Sequence, residues 1–149
     1  MSDEDWRFIL DINLTHAFYL CRVAGRQMLA RGQGKVIAIG SSASRSGGAG
    51  MVAYTAAKSG IVGFTQALAL EWVPYNVQVN AIAPGSFTDG EEMSREARRR
   101  ADERSKERVP LRRMGRPEEV GFLALYLASA EADNMTGQTL SLDVGLTTK

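Results

Sequence analysis

The chain has 149 residues, 44% hydrophobic and 23% charged, with a net charge of +1. That length suits one domain with a buried core, and the charge balance leaves no basic footprint for nucleic acid. A single cysteine, Cys21, excludes an internal disulfide framework, the acidic start MSDEDW is not a signal peptide, and no apolar run approaches the roughly 20 residues of a membrane span; the expectation is a cytoplasmic protein with no membrane partner.

Ser2 to Arg31 reads as one long helix. Ser2 can cap it, and Asp3, Glu4 and Asp5 suit the positive end of its dipole. Trp6, Leu10, Asn13, Ala17, Cys21, Ala24 and Met28 recur at helical steps and form one stripe. Asn13 interrupts that apolar stripe, and a buried amide needs partners. Gly32 and Gly34 end the helix. A lone His16 beside a lone Cys21 predicts no metal site.

KVIAIGS, Lys35 to Ser41, is a short apolar run with β-branched residues, read as a buried strand. A loop of small residues follows over Ser42–Val52. Helical periodicity returns from Ala53 or Tyr54 to about Val73, before Pro74. NVQVNAIAP reads as a second strand, closed by Pro84-Gly85. Residues 86–109 turn abruptly to charge, with seven Arg or Lys against seven Asp or Glu. Such a balance describes a solvated helical excursion laced by i,i+4 pairs, a lid rather than a basic binding site. PEEVGFLALYLASA is a third core-facing helix opened by Pro117, and QTLSLDVG is a third strand.

The order helix–strand–helix–strand–helix–strand, with long crossovers, predicts a parallel sheet covered by helices. The fold class is α/β: half of a doubly wound, Rossmann-like sheet, with about three strands, three main helices and the lid. A complete fold of this kind has two such halves and binds ligands at the switch point between them.

The stretch SGGAGMVAYTAAKSG offers two kinds of site. Gly48-Ala-Gly50-Met-Val-Ala53 fits the G-x-G-x-x-G/A fingerprint of dinucleotide loops. That fingerprint needs its glycines at the end of a strand, opening a helix, with an acidic residue about 20 positions on at the end of the next strand. Gly48 comes seven residues after Ser41, and Glu71 falls inside a helix, so the stretch reads as a loop over a site. Tyr54 and Lys58 stand four apart and share a helix face. Ser41 closes a buried strand, where open α/β sheets bind ligands. A serine-hydrolase reading through Ser41 and His16 lacks any G-x-S-x-G around the serine.

These pieces together resemble the short-chain dehydrogenases/reductases. The resemblance rests on Asn13 in DINLTHAF, Ser41 in VIAIGSS, Tyr54 and Lys58 in YTAAKSG, then VNAIAPG, PLRRMGRPEEV and TGQTLSLD, in order along nearly the whole chain. Ser41 precedes Tyr54 by thirteen residues, the usual family gap, which singles it out over Ser42. The resemblance implies an NAD(P)-dependent oxidoreductase interconverting a small carbonyl compound and a secondary alcohol. Tyr54 would be the general acid or base. Lys58 would hold the nicotinamide ribose, Ser41 the substrate oxygen, and Asn13 a water in a relay to Lys58. Tyr54, Lys58, Pro84, Gly85, Phe87 and Thr88 would line the cofactor. The residue types suit the chemistry: an ammonium about 5 Å from a phenol at an effective dielectric near 20 favours the phenolate by about 3 kcal/mol.

The resemblance also implies an absence. The family's N-terminal strand, glycine-rich loop and helix, which hold the adenine and pyrophosphate, are not in residues 1–149. The chain therefore reads as the C-terminal catalytic half, with NAD or NADP used by the full-length parent and neither bound tightly by this chain alone. The strand at Lys35–Ser41 is expected to be an uncovered edge. Phe8, Ile9 and Ile12 lie off the first stripe, and Phe64 and Leu68 accompany Ile61, which points to a homo-oligomer, dimer or tetramer, through the family's paired helices. The other reading is a non-catalytic fragment or subunit that keeps those helices. ALEWVPYNVQVNAIAPG looks like sugar-acid and polyol dehydrogenases, whereas PLRRMGRPEEV is shared with ketoacyl-carrier reductases. Two departures stand out. Thr88 follows the Pro-Gly turn after two residues where three are common, and DVG replaces a frequent DGG at Val144.

Overall fold

Helix α1 (Asp3–Leu10) starts on a reciprocal cap. The Ser2 hydroxyl accepts the Asp5 N–H at 3.1 Å, and the Asp5 carboxylate accepts the Ser2 N–H at 3.1 Å. The computed structural model describes residues 1–87, 94–97, 99–100, 103 and 109–148. The expected single helix is interrupted: α1 passes into a π turn (Asp11–Thr15) before α2 (His16–Arg31). Gly32, at φ 65°, ends α2 in the left-handed region. The wider turn shifts the stripe. Ala17 is buried and Cys21 and Met28 are partly so, but Gly25 is buried where Ala24 was expected, and Ala24 is exposed. Gly25 is required there, since a Cβ would lie 2.4 Å from Cη2 of Trp72.

Strands β1 (Gly34–Ile39), β2 (Val77–Pro84) and β3 (Thr139–Leu142) form one parallel sheet in the order β1-β2-β3. Each strand is shorter than its apolar run. β1 stops before Gly40, and the chain from Gly40 to Ser42 continues along β2 through single bonds, Gly40 N–H to the Ile82 carbonyl at 2.7 Å and Ser42 N–H to the Pro84 carbonyl at 2.8 Å. A one-turn helix, α3 (Ala43–Ser46), occupies the start of the expected loop. Helix α4 (Val52–Trp72) then crosses back, and Pro74 sits in a closing 3-10 turn (Val73–Tyr75). Helix α5 (Pro117–Ala128) begins with proline at its first position.

The two sheet faces are filled differently. Val77, Val79 and Ala81 of β2 face α2 and α4, where they meet Trp72, Ala69, Ile61 and Ala17, with Val36 and Ala38 of β1 beside them. Ile82 faces α5 and packs with Leu127, Ile37 and Leu140. β2 is covered on both sides, which is why its second half, residues 81–84, is apolar without alternation. Gln78 and Asn80 are the strand's polar exceptions, and Asn80, 2% exposed, is satisfied: its amide donates to the Met135 carbonyl at 2.8 Å and accepts the Gln138 N–H at 3.0 Å. Phe64 and Leu68, expected on an outer face, are partly buried in this core instead. Phe8 and Ile12 are exposed, as are Phe18, Tyr19, Leu20 and Val23 on α2.

Of the charged excursion 86–109, residues 95–97, 99–100 and 103 are helical, and Arg100 pairs with Glu96 one turn back at 2.6 Å. Thr88 lies outside the described residues. Among the described residues, no helix is long and apolar enough to cross a membrane.

The contact of α2 with α4 through Gly25 is tight enough to test. Gly25→Val forces a branched side chain into the Trp72 indole and is expected to cost about 2 kcal/mol in urea unfolding. An unchanged midpoint and slope would show that the two helices do not meet there.

Candidate active site

Parallel pairing places the C-terminal ends of β1 and β2 side by side, with Ile39 opposite Ile82. Ser41 follows β1, and Pro84-Gly85 ends β2, so both fall at the sheet end where this architecture binds ligands. Ser41 is half-buried. Its hydroxyl accepts the Ala43 N–H at 3.2 Å, and its carbonyl accepts the Ser44 N–H at 3.1 Å, so α3 folds directly onto it.

Tyr54 lies in the first turn of α4, half-buried, and Lys58 one turn later, buried at 8% exposure. The Lys58 ammonium stands 5.7 Å from the centre of the Tyr54 ring. It donates to the Ile39 carbonyl at 3.0 Å, its one hydrogen bond to the described residues. Burial holds the Lys58 pKa below its ordinary value, because the charged form is the one that loses water. Ser41, Tyr54 and Lys58 thus gather around the end of β1, two of them on α4 and one just past the strand.

Asn13 sits in the π turn. Its amide donates to the Ile9 carbonyl at 3.0 Å, one turn back. A side chain that bonds its own backbone competes with the helical ladder, and widened turns occur where this happens. The turn packs on α4 beside the site: a Cβ at Gly60, two residues past Lys58, would lie 2.7 Å from Leu14 Cδ2. No hydrogen bond joins Asn13 to Lys58 among the described residues. A groove of about 310 Å³ runs between this turn, α2 and β1, lined by Ile12, His16, Leu20, Ile39, Lys58 and others.

The Pro84-Gly85 turn is fixed to β3. The Gly85 N–H donates to the Leu142 carbonyl at 3.0 Å, and a Cβ on Gly85 would lie 2.6 Å from the Asp143 backbone. Phe87 forms a parallel bridge with Gly115, whose absent side chain makes room for the Phe87 ring. The GGAG stretch is exposed and separated from β1 by α3, with Gly47 and Gly50 at positive φ. Val144, the departure from the frequent DGG, takes φ 53°, a conformation that suits glycine and strains a β-branched residue.

Two features had no visible signal in the sequence. The Ile39 carbonyl is a backbone acceptor, which any residue carries. The second is a clamp at the start of α5. Arg113 grips the Glu119 carboxylate with two bonds, at 2.7 and 3.0 Å, while the Arg116 N–H adds a third at 2.8 Å. These bonds lower the Glu119 pKa from 4.5 to about 2, the Arg113 side chain contributing most. A carboxylate with a depressed folded pKa stabilises the fold above its ordinary pKa and loses that contribution as pH falls toward the depressed one. NMR titration should find Glu119 still ionised at about pH 3, and Arg113→Gln should return its midpoint most of the way to 4.5. A parent midpoint at 4.5 would mean the clamp is not formed in solution.

Comparison with known proteins converges on one family. Residues 1–147 match the family model described as enoyl-(acyl carrier protein) reductase. The chain is 38% identical over 143 residues to 2-dehydro-3-deoxy-D-gluconate 5-dehydrogenase of Bacillus subtilis, covering 96% of this chain and 56% of that protein. It is 39% identical to the 3-oxoacyl-[acyl-carrier-protein] reductase of Chlamydia pneumoniae, over 99% of this chain and 58% of that protein. The solved structure of a 3-oxoacyl-[acyl-carrier protein] reductase from Brucella melitensis with bound NAD superposes with a TM-score of 0.87 at 34% identity, covering 99% of this chain and 53% of that one. The chain therefore spans little more than half the length of these relatives. Its three-stranded parallel sheet, its ordered motifs and these matches show that the chain belongs to the short-chain dehydrogenase/reductase family.

Proposed function

We propose that residues 1–149 are the catalytic half of an NAD(P)-dependent oxidoreductase that interconverts a carbonyl and a secondary alcohol. The observation that carries this reading is the grouping of Tyr54, Lys58 and Ser41 at the C-terminal end of β1, with the Lys58 ammonium 5.7 Å from the Tyr54 ring. A carbonyl that gains hydride needs a proton on oxygen, and Tyr54 supplies it; in the reverse direction Tyr54 takes the alcohol proton. The Lys58 ammonium favours the phenolate that remains. Ser41 donates to the substrate oxygen as charge develops on it. Asn13, in the π turn that packs on α4, serves the proton path to Lys58.

The residues fit a nicotinamide nucleotide. The Lys58 ammonium carries three donors, and the protein accepts one of them, which leaves donors for ribose hydroxyls. Pro84, Gly85 and Phe87 lie in the segment against which the nicotinamide would rest, and Thr88, outside the described residues, is the further residue the resemblance names. A bound nicotinamide supplies or accepts the hydride. The adenine and pyrophosphate belong to the dinucleotide-binding half, outside these residues.

The substrate class follows the relatives in two directions. The Bacillus relative's name points to a sugar acid, and the Chlamydia relative's to a 3-oxoacyl thioester. A panel of keto-sugars and 3-oxoacyl thioesters with both nucleotides, run on the chain joined to a complete N-terminal half, separates them. A second reading has its own support. The exposed apolar residues of α2, with Leu70 of α4 and Phe122 and Leu125 of α5, suit a homo-oligomer built on helix faces, dimer or tetramer. A non-catalytic subunit would keep those faces and nothing else.

In the complete context, Tyr54→Phe should abolish turnover while the fold persists; turnover within about tenfold of the parent, or 1.4 kcal/mol, would remove Tyr54 from the mechanism. The chain alone should give no calorimetric signal with NADH or NADPH at submillimolar ligand. Losing three charge-assisted bonds of roughly 1.5–3 kcal/mol each takes about 5–9 kcal/mol from binding. Tight binding by residues 1–149 that disappears when Gly48 and Gly50 are enlarged would make the glycine loop the cofactor element.

A further inference from the structure

After Gly85, whose N–H bonds β3, the chain leaves the sheet at Ser86 and Phe87 and meets the segment that leads into α5. The Gly115 N–H donates to the Ser86 carbonyl at 2.9 Å, and Gly115 forms a parallel bridge with Phe87. Gly115 is buried, and a Cβ there would lie 2.6 Å from Cε1 of the Phe87 ring. The two peptide groups of Gly115 are held by one ion pair. The carbonyl of the first belongs to Met114 and accepts from Arg113 Nη1 at 3.0 Å; the N–H of the second belongs to Arg116 and donates to Glu119 Oε2 at 2.8 Å. The same Arg113 grips both oxygens of the Glu119 carboxylate. A peptide group is planar, so fixing the Met114 carbonyl also aims the Gly115 N–H, which points the opposite way, at Ser86. An exposed ion pair alone contributes little. This one is bidentate and spans the two peptides that carry the bridge.

We propose that Arg113 and Glu119 are a positioning pair for the nicotinamide end of the cofactor: by fixing the peptide groups of Gly115 they hold Ser86 and Phe87 where the ring would rest. The proposal rests on the reading of Pro84, Gly85 and Phe87 as the nicotinamide side of the site. The two side chains are 47% and 20% exposed, and the pair acts through Gly115 rather than by contact with the ring. A segment that is loose must be ordered each time the ring binds, and affinity falls by the fraction of time it is in place. The adenine and pyrophosphate belong outside these residues, so their binding does not depend on the pair.

Calorimetry on the chain joined to a complete N-terminal half tests it with two probes. One is the reduced nucleotide that the parent binds, NADH or NADPH; the other is the ADP-ribose portion of that nucleotide, which lacks the nicotinamide. In Glu119→Gln the amide oxygen can still accept the Arg116 N–H, so α5 keeps its cap while the ionic grip is lost. Arg113→Met removes the grip and the bond to the Met114 carbonyl. Both should weaken the nucleotide about fivefold, the worth of one well-formed exposed ion pair, and leave ADP-ribose unchanged. Glu118→Gln, on an exposed neighbour outside the clamp, should match the parent. With no nucleotide present, hydrogen exchange should run about fivefold faster at the Gly115 amide in both clamp variants, with the Gly85 amide unchanged. Unchanged nucleotide affinity in the clamp variants overturns the proposal. So does equal weakening of ADP-ribose, or exchange that speeds up at Gly85 as well, since the pair would then act on stability alone. A parent that binds neither nucleotide overturns the oxidoreductase reading and this proposal with it, a failure seen in the parent rather than in the variants.

Discussion

The hydrogen bond from Lys58 to the Ile39 carbonyl fixes the candidate site to the fold. It joins the second turn of a 21-residue helix to the last residue of the first strand. With that point set, helical geometry puts Tyr54 one turn back toward the sheet end. Chain continuity puts Ser41 two residues past the same carbonyl. The parallel register then brings Pro84-Gly85 alongside, because Ile39 stands opposite Ile82. Glycines permit the close approaches around it: Gly60 admits the π turn against α4, and Gly85 admits the Asp143 backbone against the β2 turn.

Much of this was legible in the sequence. The apolar runs of β1, β2 and β3 and the stripe of the long helix each reflect burial, and burial is what composition and period record. The strands came out shorter than their runs because Gly40, Ser41 and the residues after Leu142 keep apolar or small character while their backbones turn into the site. The break at Asn13 was visible as a polar residue in an apolar stripe, but the π turn was not. An amide bonds the Ile9 carbonyl within that turn, and the change of phase shows further down the helix, where Gly25 replaces Ala24 on the inner face. Val144 was visible only as a departure from a glycine; the positive φ supplies the physical reason for a glycine there. The Ile39 acceptor left no trace, since the backbone carbonyl is common to every residue.

Among the described residues β1 is the outer strand of the sheet, and the surface beside it has a matching character. The structural relatives extend well beyond the matched region, and here the strand edge and the groove beside Ile12, His16 and Leu20 face outward together. An apolar groove beside an unpaired strand is costly to leave uncovered. The Lys58 ammonium bonds the Ile39 carbonyl at the edge of the described sheet and remains one turn from Tyr54.

The central claim is that Lys58 is buried against the strand end rather than free in solvent, and the titration of that one side chain tests it most directly. Carbon-13 NMR of the Lys58 side chain in residues 1–149, assigned by its loss in Lys58→Met, reports the midpoint. The account predicts a midpoint below 10.5, since burial penalises the ammonium, and folding stability that rises with pH from that midpoint up to 10.5 in the parent relative to Lys58→Met. A midpoint at or above 10.5 would place the ammonium in water or against a carboxylate, and would contradict the site as described.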